Sequence, residues 1–386
     1  MSTDLSAKEV ADRLGVELAT VYAYASRGSL TRRPGPDGRT SVYDADEVEA
    51  LARRARPRST RRRVGAVDVV IGTTVSEIGD GWIRYRDHDL VELAAWATFE
   101  DASTLLWTGE LTGEPPLPPS DPAAVAAAER AVAALPRQAS VTARLVVGAS
   151  AASPWIPRAT TTDTAVTAAS LVIDALVAAL PDRGVPASPD APVAARLWPK
   201  LSPLPPTADR LRALDLAMVL LAEHELATST LAVRVAASTR AKPAEVVIAG
   251  LGTASGPFHG RAAVRVHRRL AEGLGPVDHD ALAGFGHGVH VSGDPRFAPL
   301  LAAVLPIATD EQRAVIERYV DRPRSAAPPN VDAALGALGH AIGAEPGATE
   351  AVFVIARTAG WLAHAFEEAD EEPLRYRGRT LYRGPR

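Results

Sequence analysis

The chain contains no cysteine. That excludes a disulfide scaffold, a thiolate metal site, an iron–sulfur cluster and a cysteine nucleophile. It also removes any pointer to an oxidising compartment. Long hydrophobic runs are missing as well. The best candidate, Ala213 to Leu231, is interrupted by Asp215, Glu223, His224 and Glu225, so no membrane span is expected. The opening residues Met1-Ser2-Thr3-Asp4-Leu5-Ser6 are polar, unlike a secretory signal. There is no Gly-rich phosphate loop, no alternating β–α pattern and no repeat of fixed period, which argues against Rossmann and P-loop folds. What is present is ordinary: 386 residues, 47% hydrophobic and 23% charged. Such a chain builds two or three domains without covalent staples, and the expected location is the cytoplasm.

The net charge of −4 is unevenly spread. Residues 1–63 hold 13 basic against 9 acidic side chains, leaving 29 against 37 for the rest. A basic head on an acidic body points to two parts with different partners.

In the head, Ser6 and Glu9 have the spacing of a capping box. Val10, Ala11 and Leu14 give one apolar helical face, and Gly15 ends it. A second helix is expected over Leu18–Ser26, then turn chemistry at 34–38, a strand over Arg39–Tyr43 and a third helix over Glu47–Arg54. This order resembles the winged helix-turn-helix of the MerR and excisionase group, a module that also serves as a protein-docking domain. If it binds DNA, Thr20, Tyr22 and Arg27 would face the major groove, and Arg39 would lie near phosphate or the minor groove. Between Arg53 and Arg63, seven of eleven residues are Arg. That segment reads as a solvated tether or as a neutraliser of phosphates.

The body reads as mainly α. Helices are expected over Leu90–Ala97, Phe99–Trp107, Ala123–Leu135, Ala165–Leu180, Ala208–Thr239, Pro243–Ala254, Ala262–Glu272, Asp310–Val320, Val331–Ile342 and Glu350–Glu368. The Pro/Ala-rich stretches 113–122 and 180–206 are expected as loops. A hairpin pairing Val67–Thr74 with Ile83–Arg86 is expected at the start.

Three segments combine His or Asp with Gly or Pro: Ser255-Gly256-Pro257-Phe258-His259-Gly260, Gly284-Phe285-Gly286-His287-Gly288 and Pro328-Pro329-Asn330-Val331-Asp332. Glycine beside a polar side chain lets backbone approach a ligand. Singly each is weak, since His before Gly is usually a turn residue. In order and with their flanks, they resemble the citrate synthase family. Ile83-Arg84-Tyr85-Arg86, Leu106-Trp107-Thr108-Gly109-Glu110-Leu111 and His224-Glu225-Leu226 with Ser229-Thr230 extend the likeness. So do Asp294-Pro295-Arg296, Arg357 and Leu374-Arg375-Tyr376-Arg377.

The resemblance implies an all-helical, two-domain body: a large domain of 67–258 and 332–386, and a small domain of 259–331. The helix-turn-helix head would be 1–55 and the linker 56–66. It implies an acyltransferase joining acetyl-CoA or propionyl-CoA to oxaloacetate. Asp332 would be the base, His259 the enolate stabiliser and His287 the acid at the ketone. His224, Arg296, Arg357 and Arg375 would bind substrate, the last across a homodimer. No metal, and no cofactor beyond the CoA thioester, is implied. His88, His267, His279, His290, His340 and His364 fall outside the matched positions and are expected to be structural or exposed. Departures from the family pattern cluster around the CoA side: Leu221 and Ala227 replace His and Asn, Arg261-Ala262-Ala263-Val264 follows His259-Gly260, and Gly288 replaces Arg. A second reading remains open, in which the body senses oxaloacetate, citrate or acyl-CoA for a DNA-binding head.

Overall fold

A computed structural model describes residues 4–14, 21–22, 24–25, 30–35, 40–45, 47–48, 69–111, 117–118, 120–256, 259–274, 283–321 and 327–378. The chain divides into two compact units, 1–69 and 70–386.

In the first unit, strand β1 (Asp4–Ser6) runs straight into helix α1 (Ala7–Leu14), and strands β2 (Arg32–Pro34) and β3 (Ser41–Asp44) follow. The capping box forms: Ser6 N–H donates to Glu9 at 2.8 Å, and Glu9 N–H donates to Ser6 Oγ at 3.3 Å. The sheet is antiparallel in the order β1-β3-β2, with Tyr43 opposite both Leu5 and Arg32. Val10, Ala11, Val21, Leu30, Tyr43 and Val48 close a small core. Tyr22 is 45% exposed. Thr20, Arg27, Arg39, the turn at Gly15 and most of the expected second and third helices lie outside the described residues, as does the Arg-rich linker.

The second unit opens with an antiparallel hairpin of β4 (Ser76–Gly79) and β5 (Trp82–Tyr85), extended by β6 (His88–Asp89). The expected partner run 67–74 is not the strand, because the two-residue turn Asp80-Gly81 fixes the register so that Ser76 pairs with Tyr85. Helices then follow: α2 (Leu90–Ala94), α3 (Phe99–Thr108), α4 (Pro122–Ala133), α5 (Val141–Ala152), α6 (Thr162–Ala178), α7 (Val193–Leu201), α8 (Ala208–Leu221) and α9 (Thr228–Ser238). After these come α10 (Pro243–Ala254), α11 (Ala262–Ala271), α12 (Phe297–Val304), α13 (Asp310–Val320), α14 (Val331–Ala341) and α15 (Ala348–Ala369). None of these is long and apolar enough to cross a membrane.

Two corrections concern helices. α7 forms inside the Pro-rich stretch expected as loop, because Leu197, Trp198 and Leu201 give it an apolar face that is buried despite Pro199. Tertiary burial outweighs the proline cost there. The expected single helix 208–239 is instead two, α8 and α9, separated at 222–227. That break carries His224.

α15 organises the unit. Thr349 to Ala365 are buried without interruption, so the helix is wrapped on all sides. Its polar members Arg357, His364 and Glu368 therefore need partners, since an unpaired buried charge is expensive. α9, α3, α8 and α10 pack on it, while α11 and α14 pack on each other.

Candidate active site

His224 sits where α8 stops. The Arg357 Nε–H donates to the Leu221 carbonyl at 2.8 Å, and the Gly360 N–H lies 3.0 Å from the Ala222 carbonyl. Tyr85 Oη accepts the Glu223 N–H at 2.9 Å. Glu225 takes a left-handed φ of 54°. Together these redirect the chain and leave His224 outside any helix. Glu223 is fully buried; its Oε1 accepts from Ser76 Oγ at 3.1 Å and from His364 Nε2 at 3.2 Å. Burial alone would raise its carboxyl, but His364 and Arg357 hold it below the ordinary value. A Cβ on Gly360 would lie 2.0 Å from Glu223 Oε2 and 2.6 Å from the Ala222 carbonyl. Only glycine lets α15 approach the His224 turn this closely.

The His287 segment and the Asp332 segment are stitched together by backbone bonds. Asn330 N–H donates to Gly284 O, and Gly286 N–H donates to Pro328 O, each at 2.8 Å. The Asn330 amide donates to Gly286 O at 2.6 Å. Gly284 has φ 78°, and a Cβ there would sit 2.9 Å from Ala333 N. Asn330 Oδ1 caps α14 by accepting the Asp332 N–H at 2.9 Å.

Asp294 and Arg296 form a buried two-pronged pair, both arms at 2.9 Å, and Asp294 also accepts the Val331 N–H at 3.0 Å. Burial opposes ionisation of Asp294, yet the Arg296 guanidinium brings it down to about 2. Arg357 is 2% exposed, with its guanidinium carbon 5.0 Å over the Phe353 ring. Burial and the neighbouring Arg296 lower its pKa, while Glu223 opposes them.

Three imidazoles gather between these arginines. His224 and His290 place their Nε2 atoms 3.3 Å apart. The His287 ring is stacked on His290 with centroids 4.7 Å apart, and it meets His224 edge-on at 5.0 Å. His287 Nδ1 accepts N–H bonds from Val289 and from His290, each at 3.1 Å, so the ring's proton is on Nε2. Burial and Arg296 push His287 down to about 4. Burial, Arg296 and Arg357 hold His224 well below its ordinary value. His290 is lowered by burial, with Asp294 and the Gly79 carbonyl among the groups pulling the other way. All three are thereby biased toward the neutral imidazole.

His259 Nε2 lies 2.8 Å from Ser229 Oγ, and Trp361 Nε1 donates to the same oxygen at 3.3 Å. Burial and Arg357 lower His259. Asp332 is raised, chiefly by burial and partly by Asp294, with Arg296 opposing. Arg296 and Arg357 thus act electrostatically on His224 and Asp332 together, and Arg357 also on His259. Six of the seven residues expected in the body are thus linked through the charges of Arg296 and Arg357.

Arg375 is the exception. Its guanidinium grips Glu368 of the same chain at 2.7 and 2.6 Å and reaches Glu371 at 3.2 Å. Glu368 also pairs with the buried Arg234 at 2.9 Å. His290, expected to be structural or exposed, is buried, and it joins the imidazole group. Its position three residues after His287 was the available signal. His364 lies in the Glu223–Arg234 chain, its Nδ1 2.8 Å from Arg234.

Residues 64–379 match the model of the citrate synthase C-terminal domain. Over 205 residues the chain is 31% identical to a citrate synthase of Saccharolobus solfataricus, covering 47% of this chain and 54% of that one. Over 199 residues it is 32% identical to citrate synthase 2 of Bacillus subtilis, covering 47% and 53%. The chain therefore spans about half the length of the curated relatives it matches. Citrate synthase from Pyrobaculum aerophilum superposes with a TM-score of 0.67 at 23% identity, covering 82% of this chain and 91% of that one. The Thermoplasma acidophilum enzyme, solved in a ternary complex with carboxymethyl coenzyme A and oxaloacetate, gives 0.67 at 22% identity, covering 82% and 94%. These likenesses carry the fold, and the match over 64–379 places the chain in the citrate synthase family.

Proposed function

We propose that the body condenses acetyl-CoA or propionyl-CoA with oxaloacetate and hydrolyses the resulting thioester, releasing CoA. The observation that carries this reading is the gathering of His224, His287 and His290 with the buried Asp294–Arg296 pair, whose Asp294 accepts the Val331 N–H beside Asp332. A thioester methyl is a very weak carbon acid. It needs a strong carboxylate base and a donor to the forming enolate oxygen.

Asp332 is that base, and the burial that raises its pKa also strengthens it as a proton acceptor. It takes the proton from the carbon beside the thioester carbonyl. Trp361 can only donate to Ser229. The Ser229 hydroxyl is then free to donate to His259 Nε2, which leaves the His259 proton on Nδ1 as donor to the enolate oxygen. The enolate carbon attacks the ketone. The ketone oxygen becomes an alkoxide and takes its proton from the side of His287, whose Nε2–H is fixed by the two backbone bonds at Nδ1. Water then adds to the thioester, the C–S bond breaks, and CoA leaves as the thiol. Arg296, Arg357 and His224 hold the carboxylates of oxaloacetate, since guanidinium pairs with carboxylate through two hydrogen bonds. Arg375 would act across a homodimer, where a substrate carboxylate must compete with Glu368. No metal and no cofactor other than the CoA co-substrate enter these steps.

A second activity rests on the first unit. A capped helix, a three-stranded antiparallel sheet and a hairpin with Arg32 and Arg33 on it favour a winged DNA-binding head of the MerR and excisionase kind. Such a head would bind duplex DNA with an affinity that falls steeply with salt; salt-insensitive binding or none would leave docking as its role. For the body, the decisive assay is thiol release from acetyl-CoA and propionyl-CoA by the purified chain. Release that requires oxaloacetate supports the reading, and release that does not require it, or none, refutes it.

A further inference from the structure

The imidazole group holds a feature that the condensation does not use. Among the described residues, His224, His287 and His290 each offer a ring nitrogen, and those atoms lie within 4.8 Å of one another. The closest pair, Nε2 of His224 and Nε2 of His290, is 3.3 Å apart. An ion bound tetrahedrally by two imidazoles at about 2.0–2.1 Å holds its two nitrogens about 3.3 Å apart. The two side chains already have that spacing, held as a hydrogen bond whose proton a bound ion would displace.

The rings are held rather than loose. His290 is fully buried, stacked on His287 and set 84° to His224. Its backbone N–H is tied to His287 Nδ1. Two residues on, Ser292 donates through its N–H and its hydroxyl to Asp80 at 2.8 and 2.9 Å. The hairpin turn between β4 and β5 thus clasps the segment that carries His290. His287 is a poorer ligand, because both backbone donors occupy Nδ1 and its Nε2 carries the proton. It is better suited to donating that proton to a water or carboxylate oxygen on the ion. The charges around the group are divided: Asp294 and Asp80 favour a cation at His290, while Arg296 and Arg357 oppose one at His224.

We infer that His224 and His290 form a binding site for a borderline divalent transition ion of the zinc class, with His287 as a hydrogen-bond donor to one of the ion's two remaining ligands. Imidazole nitrogen favours such ions over magnesium or calcium. The ion would be an inhibitor, since it occupies His224. That consequence rests on the proposed substrate role of His224, whereas the binding itself does not.

Cobalt(II) and zinc(II) are the probes, added to the full-length chain after treatment with chelator. Cobalt is expected to bind with the visible absorption of a tetrahedral complex and to be displaced by zinc. His290→Gln, checked for native helix content and melting behaviour, should weaken zinc binding by about tenfold or more. His224→Gln should do the same, which keeps the test decisive if one variant fails to fold. Absence of tetrahedral cobalt absorption in the native chain overturns the proposal. So does zinc affinity unchanged in a folded His290→Gln or His224→Gln variant, which would place the metal elsewhere. Zinc inhibition competitive with oxaloacetate tests the consequence separately. If zinc binds but does not compete, the ion site stands and the substrate role of His224 falls.

Discussion

Gly360→Ala is the sharpest probe of how the site is built. The added methyl would lie 2.0 Å from Glu223 Oε2 and 2.6 Å from the Ala222 carbonyl, distances no real contact sustains. Two effects compete in stability. Alanine inside a helix is worth about 1 kcal/mol over glycine. Overpacking a well-filled interior costs about 1–3 kcal/mol. The net loss should therefore be at most about 2 kcal/mol, and the variant should remain folded. The chemistry has no such compensation. Relieving the clash requires the Ala222–Glu223 backbone or the Glu223 side chain to move by about 1 Å, because an ordinary contact is about 3.4 Å or more. Glu223 is bonded to Ser76 and His364 and directly precedes His224, so the imidazole moves with it. A misplacement of that size costs on the order of 100-fold. The assay is thiol release over a range of oxaloacetate concentrations, beside a thermal melt. A melting point within a few degrees of the native chain, with kcat/KM down by about two orders of magnitude, is expected. A Gly360→Ala variant that melts higher and turns over within twofold of the native chain would show that the His224 turn is not held by this contact.

The remaining predictions concern charge. Asp332→Asn should leave the fold intact and lower kcat by about 10²–10⁴-fold; a stopped assay of CoA release checks it, and near-native turnover removes Asp332 as base. Arg357→Ala should raise the KM for oxaloacetate far more than that for acyl-CoA, because a carboxylate partner is lost; equal effects on both would make Arg357 structural. The acid limb of kcat should lie above the ordinary carboxylate range, since burial raises Asp332 and only its ionised form accepts the proton. His287, already neutral above about 4, does not set it, and a profile flat down to about pH 4 contradicts the assignment. Stability should fall on acidification in the window set by His267, which burial lowers from 6.5 to about 4. A base depressed in the folded state stabilises it above 6.5, and that contribution, about 3 kcal/mol, is lost as pH drops to about 4. Melts from pH 7 to 4, with His267→Gln showing the shallower fall, test the sign.

Much of the body was legible because its helices are punctuated in the sequence. α10 and α13 begin where Pro243 and the Thr309–Gln312 capping box place their first turns. The segments proposed for catalysis stood out because Gly flanks His259 and His287 directly, and because Pro328-Pro329 precedes Asp332, which lies in the first turn of α14. The break at 222–227 was not legible. Its causes are Arg357, Gly360 and Tyr85, which lie more than a hundred residues away and act only once α15 and β5 are in place. α7 was missed for the same reason, since burial of Trp198 outweighs what prolines say locally. His290 was not grouped with His287 because their spacing brings the rings together here only through the loop that carries them. In a helix that spacing would simply share a face.

The most direct measurement is the fate of labelled carbon. The purified chain would be given oxaloacetate and acetyl-CoA carrying carbon-13 in its acetyl group, and the products resolved by mass. The account predicts a tricarboxylate carrying the acetyl label, formed in step with free CoA and absent with Asp332→Asn. Free CoA accompanied only by labelled acetate would mean thioester hydrolysis without carbon–carbon bond formation, and would contradict it.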